Sequence, residues 1–383
     1  MTMRRVPIGR PTFPDAPAIL QDVERVLASG RLMIGPYLER FEAAFAQTVG
    51  CRYAVGVSSC TAALEIVLRF LRVEGAEVIV PTNTFIATPN AVRYAGGRPV
   101  LADIRPETLA LDVEEVRQAL SPQTKAVIMV HLAGFISPDL PAIQSLCEER
   151  GVALIEDCAH AHGAVFDGTA AGAFGLAGCF SFYPTKILTT GAGGMITTNN
   201  EALCRFARTV RVHGRRGTEE AMTELGNDWF LDEMRSVVGW HQLRHLNAFV
   251  AHRRALAQEY LTTLRGLAGV APLVPDSRCQ PSYYRFPVVL DPPWSARQLR
   301  TMLQETYGVE TDQLYDPPCH LQPVYQRLFG FREGMCPVAE AVLPHQVCLP
   351  VHMGMSLEDA RYVSECLAKA LSDVEVLSPR GGR

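Results

Sequence analysis

From Tyr53 to Asn199 short apolar runs alternate with segments in which apolar residues recur every three or four positions. The runs are YAVGVS, AEVIVPT, RPVLADI, AVIMVHL, ALIEDCA, GCFSFY and GMITT. Most are apolar at every position rather than at alternate ones, the pattern of strands covered on both faces by helices. Between them, TAALEIVLRFLRV, IATPNAVRYAG, DVEEVRQAL and PAIQSLCEERG carry the helical period and read as crossovers. Strand, helix, strand in succession predicts an α/β fold with a mostly parallel central sheet and helices on both faces.

After Asn199 helical patterns dominate, including a long one from Asp232 to Leu267. A proline-containing stretch from Val270 to Pro281 then leads into YYRFPVVL, SARQLRTMLQETYG and SLEDARYVSECLAKAL. The expectation is a large α/β domain over residues 1–245 and a smaller α+β domain over 246–383, with the long helix as connector. The final SPRGGR reads as a frayed end.

The bulk numbers exclude several classes. With 48% hydrophobic residues, 20% charged residues and a net charge of −4, the chain offers no basic stripe for nucleic acid. No run of apolar residues is long enough for a membrane span, and the two arginines near the start precede no apolar signal segment. The eleven cysteines are scattered, without a C-x-x-C pair, as expected of reduced thiols in a cytoplasmic protein.

Three clusters could carry chemistry. Ser59, Cys60 and Thr61 stand where YAVGVS turns into a helix, so free backbone N–H groups and hydroxyls there suit an anion such as a phosphate; taken alone, an ordinary helix cap is the commoner explanation. Asp157 ends an apolar strand and needs a partner: a protonated cofactor ring nitrogen, a structural hydrogen bond, or a metal shared with His160 and His162, whose spacing is loose for zinc. Lys186 follows FSFYPT and precedes the small-residue turn TTGAGG. A partly buried lysine is suited to forming an imine, although a lysine snorkelling from a strand end gives the same local pattern. Ser181 could face a phosphate, and Phe85 offers an aromatic face to a planar ring. Together these are the requirements of pyridoxal 5'-phosphate, with the acid keeping the ring nitrogen protonated.

With these motifs in hand, the chain resembles the DegT/DnrJ/EryC1/StrS family of sugar aminotransferases, pyridoxal-phosphate enzymes of fold type I in the aspartate aminotransferase superfamily. The likeness is carried by VSSCTAAL, PTNTFIATPNAV, IEDCAHAHGA and FSFYPTKILTTGAGGM, and by RVHGRRG, YDPPCHLQPVY and CLPVHMGMS later in the chain. The resemblance implies that Lys186 forms the Schiff base and shuttles the proton, Asp157 binds the pyridine nitrogen and Phe85 stacks on the ring. It places Cys60, Thr61 and Ser181 at the phosphate and His160 near the ring hydroxyl, with no metal. It further implies a homodimer with shared active sites, an amino donor such as glutamate or glutamine, and a keto-sugar or keto-cyclitol acceptor. Cys60 replaces the usual glycine and Ala192 the usual acidic residue, while Asp228 and Phe230 stand where relatives place an asparagine and an arginine. Either Asn227 then takes over the contact to the partner's cofactor phosphate or the loop is rearranged. These departures leave room for a dehydratase-like reaction or for a cofactor-binding regulator without turnover.

Overall fold

A computed structural model of the chain describes residues 4–216, 221–292 and 294–377; the terminal SPRGGR lies outside the described residues. Two helices, α1 (Ala16–Ser29) and α2 (Pro36–Val49), precede the sheet, each with a proline in its first turn and a left-handed glycine, Gly30 or Gly50, at its end. The seven apolar runs all form strands: β1 (Tyr53–Val57), β2 (Glu77–Pro81), β3 (Arg98–Ala102), β4 (Thr124–Val130), β5 (Ala153–Asp157), β8 (Ala177–Ser181) and β9 (Gly194–Thr198). They make one sheet in the order β1-β9-β8-β5-β4-β2-β3. Only β9 runs antiparallel to its neighbours, so the expected mostly parallel α/β sheet is observed.

Helices α3 (Cys60–Phe70), α4 (Ala87–Tyr94), α5 (Val113–Ala119) and α6 (Leu140–Arg150) are the four predicted crossovers. On one face of the sheet α3, α4 and α7 (Glu201–Val210) bury Leu64, Val67, Val92 and Leu203 against Val78, Ile128 and Ile155. The opposite face buries Phe41 and Phe45 of α2 and Ile143 of α6 against Ile79, Val127 and Phe180. The Glu65–Arg69 pair bridges one turn of α3 at 2.7 Å.

Side chains at the helix starts explain why the chain turns where it does. Ser59 Oγ accepts the Ala62 N–H at 3.0 Å, and Asp112 and Asn200 cap α5 and α7 in the same way. The start of α2 is held from a distance: the buried Glu233 carboxylate accepts the N–H groups of Gly35, Tyr37 and Leu38 at 2.8–3.0 Å.

A short three-stranded ribbon joins β6 (Val165–Phe166), β7 (Thr169–Ala170) and β11 (Cys279–Gln280). A second three-stranded sheet, β10 (Val270–Pro272), β12 (Phe286–Leu290) and β13 (Gln346–Leu349), is antiparallel throughout. It packs with α9 (Leu246–Thr263), α10 (Ala296–Tyr307) and α13 (Leu357–Leu377) around Tyr260, Phe286, Leu303 and Leu367, with the short α11 (Pro323–Phe329) and α12 (Pro337–Val342) between. Val6, near the start of the chain, bridges Val309 in this region.

The single connecting helix expected from Asp232 to Leu267 is instead two helices, α8 (Glu233–Leu243) and α9, broken at Arg244–His245. No glycine or proline marks the break. It is fixed by tertiary contacts: His245 Nε2 meets Asp15 at 2.9 Å, α8 lies against α2, and α9 turns away to pack on α13.

Candidate active site

Every parallel strand of the central sheet ends at one edge, and a cavity of about 480 Å³ opens there. Ser58 and Ser59 follow β1, Thr84 and Phe85 follow β2, Asp157 ends β5 and Ser181 ends β8. Gly193, at the start of the antiparallel β9, reaches the same edge. A ligand at the carboxyl ends of α/β strands is the general rule, and the volume suits a small molecule. The backbone is tight here: Gly193 has φ +155°, and a Cβ on Gly194 would lie 2.4 Å from the Ser59 carbonyl carbon.

Of the nine residues singled out from sequence, Ser59, Cys60, Thr61, Phe85, Asp157, His160, Ser181 and Lys186 line this cavity. Asn227 does not. It lies exposed on the loop before α8, its Oδ1 accepting the Asp228 N–H at 2.8 Å. Asp228 is also exposed, while Phe230 is half-buried and bridges Val57.

Asp157 is 5% exposed and accepts Thr88 Oγ1–H at 2.8 Å and the Ala159 N–H at 3.1 Å. Thr88 in turn touches Thr84 Oγ1 at 2.8 Å. Two donors on a buried carboxylate fix its orientation. The Cys60 thiol points to the same place, with Sγ 3.8 Å from Asp157 Oδ1 and 3.3 Å from the Cys179 carbonyl oxygen. Burial, then the Asp157 charge, pushes this thiol well above its ordinary range, so it is a neutral S–H donor. The side chain of Cys60 is therefore turned beneath the cavity, and its backbone N–H is what remains for an anion. With Ser59 Oγ committed to Ala62, the N–H groups of Cys60 and Thr61 are the free donors at the start of α3.

Lys186 sits in the turn after β8, its N–H bonded to the Tyr183 carbonyl oxygen at 2.9 Å. Its half-buried ammonium lies 4.6 Å from the ring centroid of Tyr284. His160 stacks on Tyr284 at 4.2 Å, accepts the Ala133 N–H on Nδ1, and has Nε2 3.2 Å from Tyr315 Oη. The network puts the proton on Nε2, which donates to Tyr315. Burial, reinforced by the charges of Lys186 and Arg285, lowers the His160 pKa well below 6.5 and keeps the ring neutral. Phe85 is 57% exposed at the rim, 5.8 Å from the Tyr315 ring.

His162 lies apart, between Phe180 and Phe182 at 5.4 and 5.7 Å, and burial drops its pKa to about 3. Asp157, His160 and His162 thus do not converge on one point. Among the described residues the one group spaced for a metal is His131, Glu156 and Cys158. There Glu156 already accepts three backbone N–H groups at 2.7–2.9 Å as well as His131 Nε2 at 2.9 Å.

Sequence reasoning missed Thr88, Thr185, Tyr284, Arg285, Asp312 and Tyr315, all of which line the cavity. Tyr284 Oη meets Thr185 Oγ1 at 2.9 Å, which ties β12 to the lysine turn. Four of the six come from the C-terminal third, where only Tyr315, the first residue of YDPPCHLQPVY, stands in a quoted motif. Thr88 and Thr185 lie inside the quoted motifs PTNTFIATPNAV and FSFYPTKILTTGAGGM, but only the fold shows that they reach the cavity.

A lysine, a buried acid and a helix start share one cavity at the sheet edge, and the fold around them is that of the fold type I aminotransferases. Comparison with known proteins gives the particular family: the profile of the DegT/DnrJ/EryC1/StrS aminotransferase family matches residues 15–368, and the chain belongs to that family. It is 32% identical over 364 residues to the spore coat polysaccharide biosynthesis protein SpsC of Bacillus subtilis, covering 91% of this chain and 93% of the relative. It is 37% identical over 331 residues to a dTDP-3-amino-3,4,6-trideoxy-alpha-D-glucose transaminase of Streptomyces venezuelae, covering 86% of each. The crystal structure of DesV from Streptomyces venezuelae superposes with a TM-score of 0.88 at 35% identity, over 92% of this chain and 94% of that one.

Proposed function

We propose that this aminotransferase binds pyridoxal 5'-phosphate through Lys186 and moves an amino group from glutamate or glutamine to a keto-sugar. The acceptor is a nucleotide-linked keto-sugar or a keto-cyclitol, in natural-product or surface-glycan biosynthesis. The single observation that carries the reading is that Lys186, Asp157 and the open start of α3 share one cavity. The residues fit the cofactor. Asp157, held by Thr88 and Ala159, presents a carboxylate to a protonated ring nitrogen. The N–H groups of Cys60 and Thr61, with the hydroxyls of Thr61 and Ser181, suit a phosphate, and Phe85 and neutral His160 suit the faces and edge of a planar ring. When bound, the cofactor supplies an electron sink that makes the donor's α-hydrogen acidic.

Within that site Lys186 Nζ is the base that takes the proton from the donor carbon and returns it on the acceptor side. Tyr284 holds the amine above its ring face, and Thr185 holds Tyr284. The expected homodimer with shared sites is supported by the exposure of Asn227 and its neighbours Met222 and Leu225 on one surface loop. The two-domain division at residue 245 is supported by an apolar cluster around β12 and α13 drawn mainly from residues after 245, which also takes in Val6, Ile104 and Leu132, while Leu246, Phe249 and Val250 pack with the large domain. Residence in the cytoplasm is supported by eleven cysteines of which none forms a disulfide; no helix among the described residues is long and apolar enough to cross a membrane.

Borohydride reduction of the cofactor-loaded protein followed by peptide mass spectrometry tests the reading. The pyridoxyl mass belongs on the peptide containing Lys186 and disappears in Lys186→Ala. A wild-type protein that takes up no cofactor, or carries the label on another lysine, refutes it. Transfer of nitrogen from labelled glutamate to a keto-sugar separates transamination from a dehydratase-like reaction and from binding without turnover.

A further inference from the structure

We infer that Arg285 anchors the α-carboxylate of the amino donor, an inference that rests on the aminotransferase reading above. Arg285 is 3% exposed, and a guanidinium buried to that extent requires anionic or carbonyl partners. Its partners are incomplete. Nη1 donates to the Tyr284 carbonyl oxygen at 3.2 Å, and Nε is 3.4 Å from Asp312 Oδ2, beyond a good hydrogen bond. The Asp312 side chain is itself 40% exposed, so that ion pair is loose. Nη2 makes no hydrogen bond among the described residues, and the side chain lines the cavity that holds Lys186. A planar fork with free N–H groups matches a carboxylate.

The position selects which carboxylate. The guanidinium carbon lies 4.3 Å and Lys186 Nζ 4.6 Å from the centroid of the same Tyr284 ring. The two cations are therefore no farther apart than those distances laid end to end, within reach of a carboxylate and an amino group on one carbon. A phosphate already has its own donors at the start of α3, on a different element of the cavity. Arg285 also adjoins Arg253 and Arg10 along a smaller recess behind Lys186, so the positive field at this wall is not cancelled by Asp312 alone.

The test uses protein incubated with pyridoxal 5'-phosphate and the variants Arg285→Gln, Arg285→Lys and Asp312→Asn. Calorimetry measures binding of maleate, a dicarboxylate that cannot react, and stopped-flow absorbance measures the half-reactions with L-glutamate and with a dTDP-linked 3-amino sugar. Arg285→Gln should weaken maleate and glutamate by about 100-fold while changing the amino-sugar half-reaction by less than about threefold. Arg285→Lys should recover part of the loss, and Asp312→Asn, which removes the competing anion, should tighten maleate. Equal losses with both amino donors, losses confined to the nucleotide-linked sugar, or no tightening in Asp312→Asn would each overturn the assignment. A wild-type protein that takes up no cofactor refutes the aminotransferase reading instead, while its maleate affinity still reports on Arg285.

Discussion

Thr88 offers the sharpest test of how the site holds its acid. Replacing it with valine keeps shape and β-branching and removes one O–H. In the native protein that hydroxyl donates to Asp157 Oδ2 at 2.8 Å, inside a region where Asp157 is nearly inaccessible to water. Hydrogen bonds to charged groups contribute about 1.5–3 kcal/mol, and water cannot easily replace this one. The loss falls on the carboxylate that, on the reading proposed above, would hold the ring nitrogen. Cofactor affinity should therefore fall by roughly 10- to 150-fold, the ratio that such energies correspond to at 25 °C. Thr88→Ser, which keeps the donor, should stay within a few-fold of wild type. The assay is titration of apo-protein with pyridoxal 5'-phosphate, followed by the quenching of intrinsic fluorescence. If the valine variant binds as tightly as the serine variant, Asp157 does not depend on Thr88, and the account of its orientation is wrong.

Two further outcomes follow from the same geometry. Cys60→Gly removes a side chain that faces Asp157 and Cys179 and leaves the backbone N–H in place, so cofactor affinity measured by the same titration should change by less than about fivefold; a loss of 100-fold would show that the thiol matters to the anion site. His162 is neutral in the fold because burial holds its pKa near 3, whereas in the unfolded chain it titrates near its ordinary 6.5. As pH falls from 6.5 towards 3 the unfolded state takes up a proton that the folded state refuses, so stability is full above 6.5 and declines below it. At pH 5 the decline attributable to this residue is about 2 kcal/mol. His162→Phe should accordingly flatten the dependence of urea midpoint on pH between 7 and 5, and an unchanged slope would refute the assignment.

Most of the sheet was legible because burial on both faces leaves a plain trace. β2 and β8 are buried at every position, and the sequence there has almost nothing but apolar side chains. The cavity-lining lysine and aspartate at strand ends were legible for the complementary reason: a charged residue beside such runs breaks the pattern. What escaped was set by tertiary contact. Tyr284 and Arg285 arrive from about a hundred residues beyond Lys186, on a segment with an ordinary local texture, and Tyr315, though it opens YDPPCHLQPVY, reaches the cavity only through the fold. The break between α8 and α9 has no local breaker, since Arg244 and His245 are acceptable helix residues; it coincides with tertiary contacts, His245 to Asp15, α8 to α2 and α9 to α13. Cys60 was placed correctly at the helix start, but only packing shows that its sulfur turns inward.

Tyr284 has a mechanical consequence. Its ring is touched by an imidazole, an ammonium and a guanidinium, and its backbone leads directly into β12 of the smaller sheet. Any tilt of that sheet would carry one rigid plate and reposition three charged or polar groups in step. A change at Tyr284 would thus reach the imidazole, the ammonium and the guanidinium together, which makes this tyrosine a poor place to retune specificity and its neighbour a good one.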